Sequence, residues 1–139
     1  MTDASIEPFT RAHLESLIAL VAAEGWTEYS DDVERTYRAL TAPGVTTLVA
    51  TVGGQVAGAI QIQSDGLIQA HVSMLLIDRN SRGAGLGSKL LRTGLERAGG
   101  VHMDIRTRTE GYYERLGASR SLGFRLTRED LGLGATAAR

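Results

Sequence analysis

The stretch Arg82-Gly83-Ala84-Gly85-Leu86-Gly87-Ser88 places three glycines at alternate positions behind an arginine. Glycine lets the main chain take positive φ and lie close to a ligand. Successive N–H groups at a helix start form an anion site. The forked guanidinium of Arg82 adds positive charge suited to phosphate. The ligand chemistry indicated is a pyrophosphate. A Walker loop needs Gly-Lys-Ser/Thr at a set distance from its first glycine, and that is missing here. A dinucleotide fingerprint counted from Gly83 requires glycine where Ser88 stands. Asp104 lies at the distance of a ribose-binding acid, which is weak support for that reading by itself.

The loop must be held by a strand before it and a helix after it. Residues 67–77 read as a long strand, and Leu86, Leu90, Leu91 and Leu95 recur at helical spacing, predicting a helix over 85–98. Upstream, residues 45–52 and 55–63 read as strands joined by Gly53-Gly54, a two-residue hairpin turn. Asp65-Gly66 predicts a second turn of that kind, completing an antiparallel meander. Residues 6–10 predict a first strand, and Leu14, Leu17, Ile18 and Val21 predict a helix over 11–24. Ser30-Asp31-Asp32 opens a second helix running to Leu40. Downstream, residues 101–106 predict a strand parallel to the one before the loop, since a helix connects them. A short helix over 110–116 follows, and residues 119–126 predict one strand or two very short ones. The order is β-α-α-β-β-β-α-β-α-β. It is an α/β (α+β) fold with a mixed, mostly antiparallel central sheet and helices on both faces.

The 139 residues fit one domain able to bury a core, with residues 127–139 a tail expected to fray. Fifteen basic against 16 acidic residues give a net charge of −1, so no nucleic-acid partner is expected. No apolar run approaches the ~20 residues that span a bilayer, and no membrane partner is expected. The first eight residues lack a basic end followed by an apolar run, so a cytoplasmic location is the expectation. The absence of cysteine excludes disulfides, thiolate zinc sites and a cysteine nucleophile, and no metal is expected.

Residues 76–87, containing Arg82, Gly85 and Gly87, resemble the acetyl-CoA motif Gln/Arg-x-x-Gly-x-Gly/Ala of the GCN5-related N-acetyltransferase (GNAT) family. Tyr112-Tyr113-Glu114-Arg115-Leu116-Gly117 resembles that family's later aromatic-Tyr-x-x-Leu-Gly element. The resemblance covers residues 6–124. It implies a GNAT-like fold and an acyltransferase moving acetyl from acetyl-CoA, as co-substrate, to a primary amine of a small molecule or peptide by direct attack. It also implies that the strand before the loop splays at a bulge, and that the backbone of Leu75, Leu76 and Ile77 pairs with the pantetheine arm. Residues Arg82, Gly83, Ala84, Gly85, Leu86, Gly87 and Ser88 would grip the diphosphate. Tyr113 aligns with the family's acid, and a phenol titrating near ~10 is protonated at neutral pH and can donate.

The chain departs from the family pattern in several places. Where many relatives carry a glutamate base, this sequence reads His71-Val72-Ser73-Met74. His71, Glu28, Asp65 and Glu110 are candidates, and the base stays open. Trp26, Glu28 and Tyr29 lie where the family often walls its acceptor pocket, or else the aromatics cover the core edge. Arg106 stands where relatives often have asparagine, and Ala118 where most have an aromatic. These changes suggest a shortened sheet edge, compatible with a homodimer. Two other functions are left standing: a non-catalytic acyl-CoA-binding regulatory module, and a nucleotide-binding protein of Rossmann type.

Overall fold

Gly53 and Gly54 both take positive φ, 57° and 80°, which is the two-residue turn whose twist matches a β-hairpin. In the computed structural model, which describes residues 3–134, this turn joins β2 (Val45–Val52) to β3 (Gln55–Ser64). With β1 (Ser5–Pro8), β4 (Gln69–Ile77) and β5 (His102–Ile105) they form one sheet in sequence order. Every neighbouring pair is antiparallel except β4 and β5, which run parallel. The mixed, mostly antiparallel sheet is the expected one. By contact the chain divides into two compact units, Met1–Ile105 and Arg106–Arg139.

In the first unit, alternation along the strands sends side chains to opposite faces. One face carries Val49, Ala59, Met74 and Leu76, packed with Leu17 and Val21 of α1 (Leu14–Ala23) and with Leu40 of α3 (Val33–Leu40). A one-turn helix, α2 (Thr27–Ser30), connects those two. The other face carries Gly58, Ile60 and Ile62 beneath α4 (Leu86–Ala98). Leu90 of α4 is fully buried. A Cβ added at Gly94 would stand 2.6 Å from Ile62 Cδ1, so glycine allows α4 to lie this close to the sheet.

Several expectations are corrected in detail. Residues 11–24 are not one α-helix: Arg11–His13 form a 3-10 turn before α1. The turn at Asp65-Gly66 is longer than two residues, because the Asp65 carboxylate accepts the N–H groups of Leu67, Ile68 and Gln69. That local acceptor outcompetes strand pairing, and β4 starts at Gln69. The helix starting at Ser30-Asp31-Asp32 begins at Val33, with Asp32 as its cap accepting the Arg35 N–H at 3.1 Å.

In the second unit, α5 (Tyr112–Arg115) forms. The strand predicted over residues 119–126 does not. Alternating apolar residues make a strand only where an edge supplies hydrogen-bond partners, and Leu122 and Phe124 stand 89% and 85% exposed. Residues 127–130 close a turn in which Thr127 and Asp130 exchange backbone-to-side-chain bonds. The rest of the expected fraying tail, 135–139, lies outside the described residues.

Candidate functional site

Two irregularities in β4 create the site. Gln61 pairs with Met74 and Ile62 with Val72, so Ser73 is an extra residue, a β-bulge. Pairing of β4 with β5 covers residues 69–72 only, ending at Val72 opposite Ile105. Beyond the bulge, Leu75, Leu76 and Ile77 pair with β3 on one side. Among the described residues no strand pairs with them on the other. A strand edge without a strand partner can take an extended ligand by strand addition.

The strand runs straight into the glycine-rich loop. Asp78 caps a 3-10 turn, Arg79–Ser81, by accepting the Asn80 N–H at 3.3 Å. Arg82 is extended, and Gly83 and Gly85 follow with φ of 84° and 79°. Side chains resist that left-handed region. Neither glycine has an atom within 4 Å of where a Cβ would stand, so their conformation and not crowding requires glycine. Gly85 caps α4 without a side chain to offer. The first backbone bond into the helix is Lys89 N–H to the Gly85 carbonyl at 3.1 Å. Helix geometry leaves Leu86 and Gly87 without an i−4 acceptor for their N–H groups. The loop is exposed from Arg82 to Gly85, while buried Leu86 anchors its end. Ala84 adds only a methyl there, and Ser88 is half-buried in the first turn.

Arg82 has protein partners. Its Nε donates to the Ile77 carbonyl at 3.0 Å, and Nη2 pairs with Glu24 at the end of α1 at 3.1 Å. The side chain is still half-exposed. The residue therefore ties the loop to β4 and α1 while presenting charge at its surface. Sequence reasoning missed Glu24, which lies 58 residues away.

Trp26 and Tyr29 contact each other with ring centroids 6.1 Å apart and pack against the core cluster. Tyr29 donates its hydroxyl to Gln61 Oε1 at 3.4 Å, and Gln61 Nε2 donates to the Ala39 carbonyl at 3.4 Å. Glu28 is exposed on α2. The aromatics are partly buried against that cluster, beside a buried glutamine on β3.

The same face of the sheet turns polar and exposed toward β5. Gln63 Nε2 donates to Ser73 Oγ at 2.7 Å, and Gln69 Nε2 donates to Asp104 Oδ2. His71 stands opposite Gln63 on one side and Asp104 on the other. Of the other base candidates, Asp65 is held below the usual carboxylate range by its backbone N–H bonds, chiefly from Ile68 and Leu67. An acceptor so committed is a poor base. A groove of about 370 Å³ between α1 and the β2–β3 hairpin includes Ala19, Val56, Asp78 and Ser81. It lies apart from the bulge and gathers no cluster of titratable groups.

In the second unit, Tyr113 follows Tyr112 in the first turn of α5, their rings edge to face with centroids 5.0 Å apart. Burial, and secondarily Tyr112, raise the Tyr113 phenol above its ordinary value of 10.0. Glu110, another base candidate, is exposed just before this helix. Among the described residues no group of His, Asp and Glu is arranged to hold a metal ion, and no helix is long and apolar enough to cross a membrane.

A mixed sheet whose strand β4 leads through a glycine-rich loop to an uncapped helix N-terminus is an α/β fold. The sequence matches the acetyltransferase (GNAT) domain over residues 10–129. The chain belongs to the GNAT acetyltransferase family, whose general chemistry is acetyl transfer. The fold is similar to that of an acetyltransferase from Trypanosoma brucei, with TM-score 0.73 and 19% identity over 90% of this chain and 99% of that one. It is also similar to a ribosomal-protein-alanine N-acetyltransferase from Brucella melitensis, with TM-score 0.72 and 17% identity over 91% and 99%. An aminoglycoside acetyltransferase from an uncultured soil metagenomic sample, in complex with sisomicin, has TM-score 0.68 and 17% identity over 89% and 95%. Comparison with curated proteins found no match.

Proposed function

We propose that this chain transfers the acetyl group of acetyl-CoA to a primary amine by direct attack of the amine on the thioester. The observation that carries this reading is the β4 edge that no strand among the described residues pairs beyond Val72, leading through the Arg79–Ser81 turn and the glycine loop to the uncapped α4 N-terminus. The edge offers backbone groups to the amides of a pantetheine arm, through Leu75, Leu76 and Ile77. The N–H groups of the loop, from Gly83 to Ser88, suit a diphosphate, with Arg82 adding charge. The coenzyme supplies an acetyl group already activated as a thioester. The protein's part is to align that carbonyl, polarise it with β4 N–H groups, and manage two protons. Tyr113 is the proton donor for the departing thiolate in this reading, and its raised pKa keeps it protonated.

The family match spans both units, which supports treating the chain as one acetyltransferase domain. Relatives named for an aminoglycoside and for a ribosomal-protein alanine bracket the acceptor between small-molecule and protein amines. A free-thiol assay of acetyl-CoA consumption across polyamines, aminoglycosides, amino acids and peptides tests the reading. Release of one thiol per acetylated amine is expected. Calorimetric binding of NAD without binding of CoA would overturn it.

A further inference from the structure

We propose that Gln63 is a positioning residue for the coenzyme, because its amide clamps the bulge residue Ser73 and so fixes where the open edge of β4 begins. This rests on the acetyl-transfer reading and deepens it. Gln63 Nε2 donates to Ser73 Oγ at 2.7 Å across the strand pair. Ser73 has no partner in the register of β3 with β4. A bulge residue is left out of the ladder, so other contacts must hold its place.

The bulge changes which face of the sheet β4 serves. Before it, Val72 pairs with Ile62, which lies beneath α4 at Gly94. After it, Met74 and Leu76 belong to the cluster around α1. Partners across a strand pair share a face, so one extra residue moves the buried side chains of β4 from one side to the other. The neighbouring residues restrict where the extra one can sit. A bulge one residue earlier would set Ser73 opposite Ile62, under α4. One residue later, Ser73 would stand opposite Gln61, which is 4% exposed and already bonded to Tyr29 and Ala39. Either shift would exchange a half-buried hydroxyl bonded to Gln63 for one turned into the core.

The clamp stands where β4 leaves its neighbour. Pairing with β5 ends at Val72, immediately before Ser73, and Leu75 lies two residues beyond. A bulge bends its strand and ends regular pairing. Held at Ser73, that bend falls just ahead of the edge segment, Leu75 to Ile77, proposed to take the pantetheine arm. Gln63 acts through Ser73, by ordering this stretch of backbone before the ligand arrives. An edge already in its binding shape loses less freedom when the ligand adds to it, and affinity gains accordingly.

The test is calorimetric titration with CoA of the wild-type chain, Gln63→Ala, Ser73→Ala, the double variant and Ser73→Thr. Thermal melts report whether each is folded at the assay temperature, and steady-state kinetics follow. Each single alanine variant is expected to weaken CoA binding by about 2–10-fold, the weight of one hydrogen bond. The double variant should lose no more than either single one, as a shared contact requires. Ser73→Thr keeps the hydroxyl and should bind within about twofold of wild type. In the alanine variants KM for acetyl-CoA should rise by the same factor as the binding loss, while KM for the amine stays within about twofold. A lowered Tm with undiminished CoA affinity would make the pair a structural contact and overturn this inference alone. Additive losses in the double variant, or a Ser73→Thr loss equal to that of Ser73→Ala, would do the same. No binding of CoA by the wild-type chain would overturn both it and the reading beneath it.

Discussion

Arg82 and Tyr113 illustrate how a motif residue acquires its role from its surroundings. The guanidinium is shared among the Ile77 carbonyl, Glu24 and solvent, so one side chain both braces the loop and charges it. Tyr113 is buried enough for desolvation to raise its pKa, with Tyr112 adding to the effect. A raised phenol pKa favours the protonated form in the folded chain. That contribution to stability is whole below the ordinary value near 10 and is lost as pH rises through the higher folded value. The same sign keeps the phenol of the proposed acid protonated across the neutral range. Replacing Tyr113 with Phe is expected to reduce kcat by about 10²-fold while leaving the KM for acetyl-CoA within about twofold. Steady-state kinetics at saturating amine check this, and an undiminished kcat would remove Tyr113 from the mechanism. In the wild-type enzyme the alkaline limb assigned to this residue should lie above ~10.

At the scale of elements, close packing between α4 and the sheet depends on Gly94. Alanine in place of glycine inside a helix contributes about 1 kcal/mol in propensity. Its Cβ would meet the tip of Ile62, a fully buried side chain. The two effects oppose each other, so Gly94→Ala is expected to be close to neutral. Gly94→Val adds two further methyl groups to a filled interface and loses part of the propensity gain. It should cost about 1–3 kcal/mol, the range for overpacking, and denaturant unfolding of both variants measures the contrast. The β3–β4 loop makes a pH prediction. Asp65, its carboxylate pulled below the usual range by three backbone donors, stabilises the loop above its ordinary value of 3.8. That contribution disappears as pH falls through the lower folded value. Asp65→Asn should therefore lower Tm at pH 7. The gap from wild type should narrow as the pH drops below the carboxylate range, which thermal melts between pH 2 and pH 7 would follow. A gap independent of pH would contradict the role given to its charge.

For the whole molecule, a ligand that binds only the folded chain must stabilise it by mass action. Acetyl-CoA at one hundred times its dissociation constant should add about 2.7 kcal/mol. For a chain of this size that is a rise in Tm of roughly 5–10 °C, using about 2–4 °C per kcal/mol. NAD at equal concentration should leave Tm unchanged. Differential scanning fluorimetry makes the comparison, and the opposite pattern would favour a dinucleotide site.

The sequence by itself determined the elements whose signals are local. Gly53-Gly54 announced a hairpin because two residues with positive φ suffice to make that turn. The leucine spacing from 86 to 95 announced α4, and the glycines before it announced an uncapped helix start. These features depend on neighbours in the chain, so periodicity and residue type reveal them. Tertiary structure decided what depends on distant partners: the bulge at Ser73, the end of β4–β5 pairing at Val72, Glu24 against Arg82, and Asp104 across from His71. It also decided that residues 119–126 form no strand, although they alternate like one. Strand register and ion pairing are set by long-range packing and hydrogen bonds, and those have no counterpart in the spacing of residues along the chain.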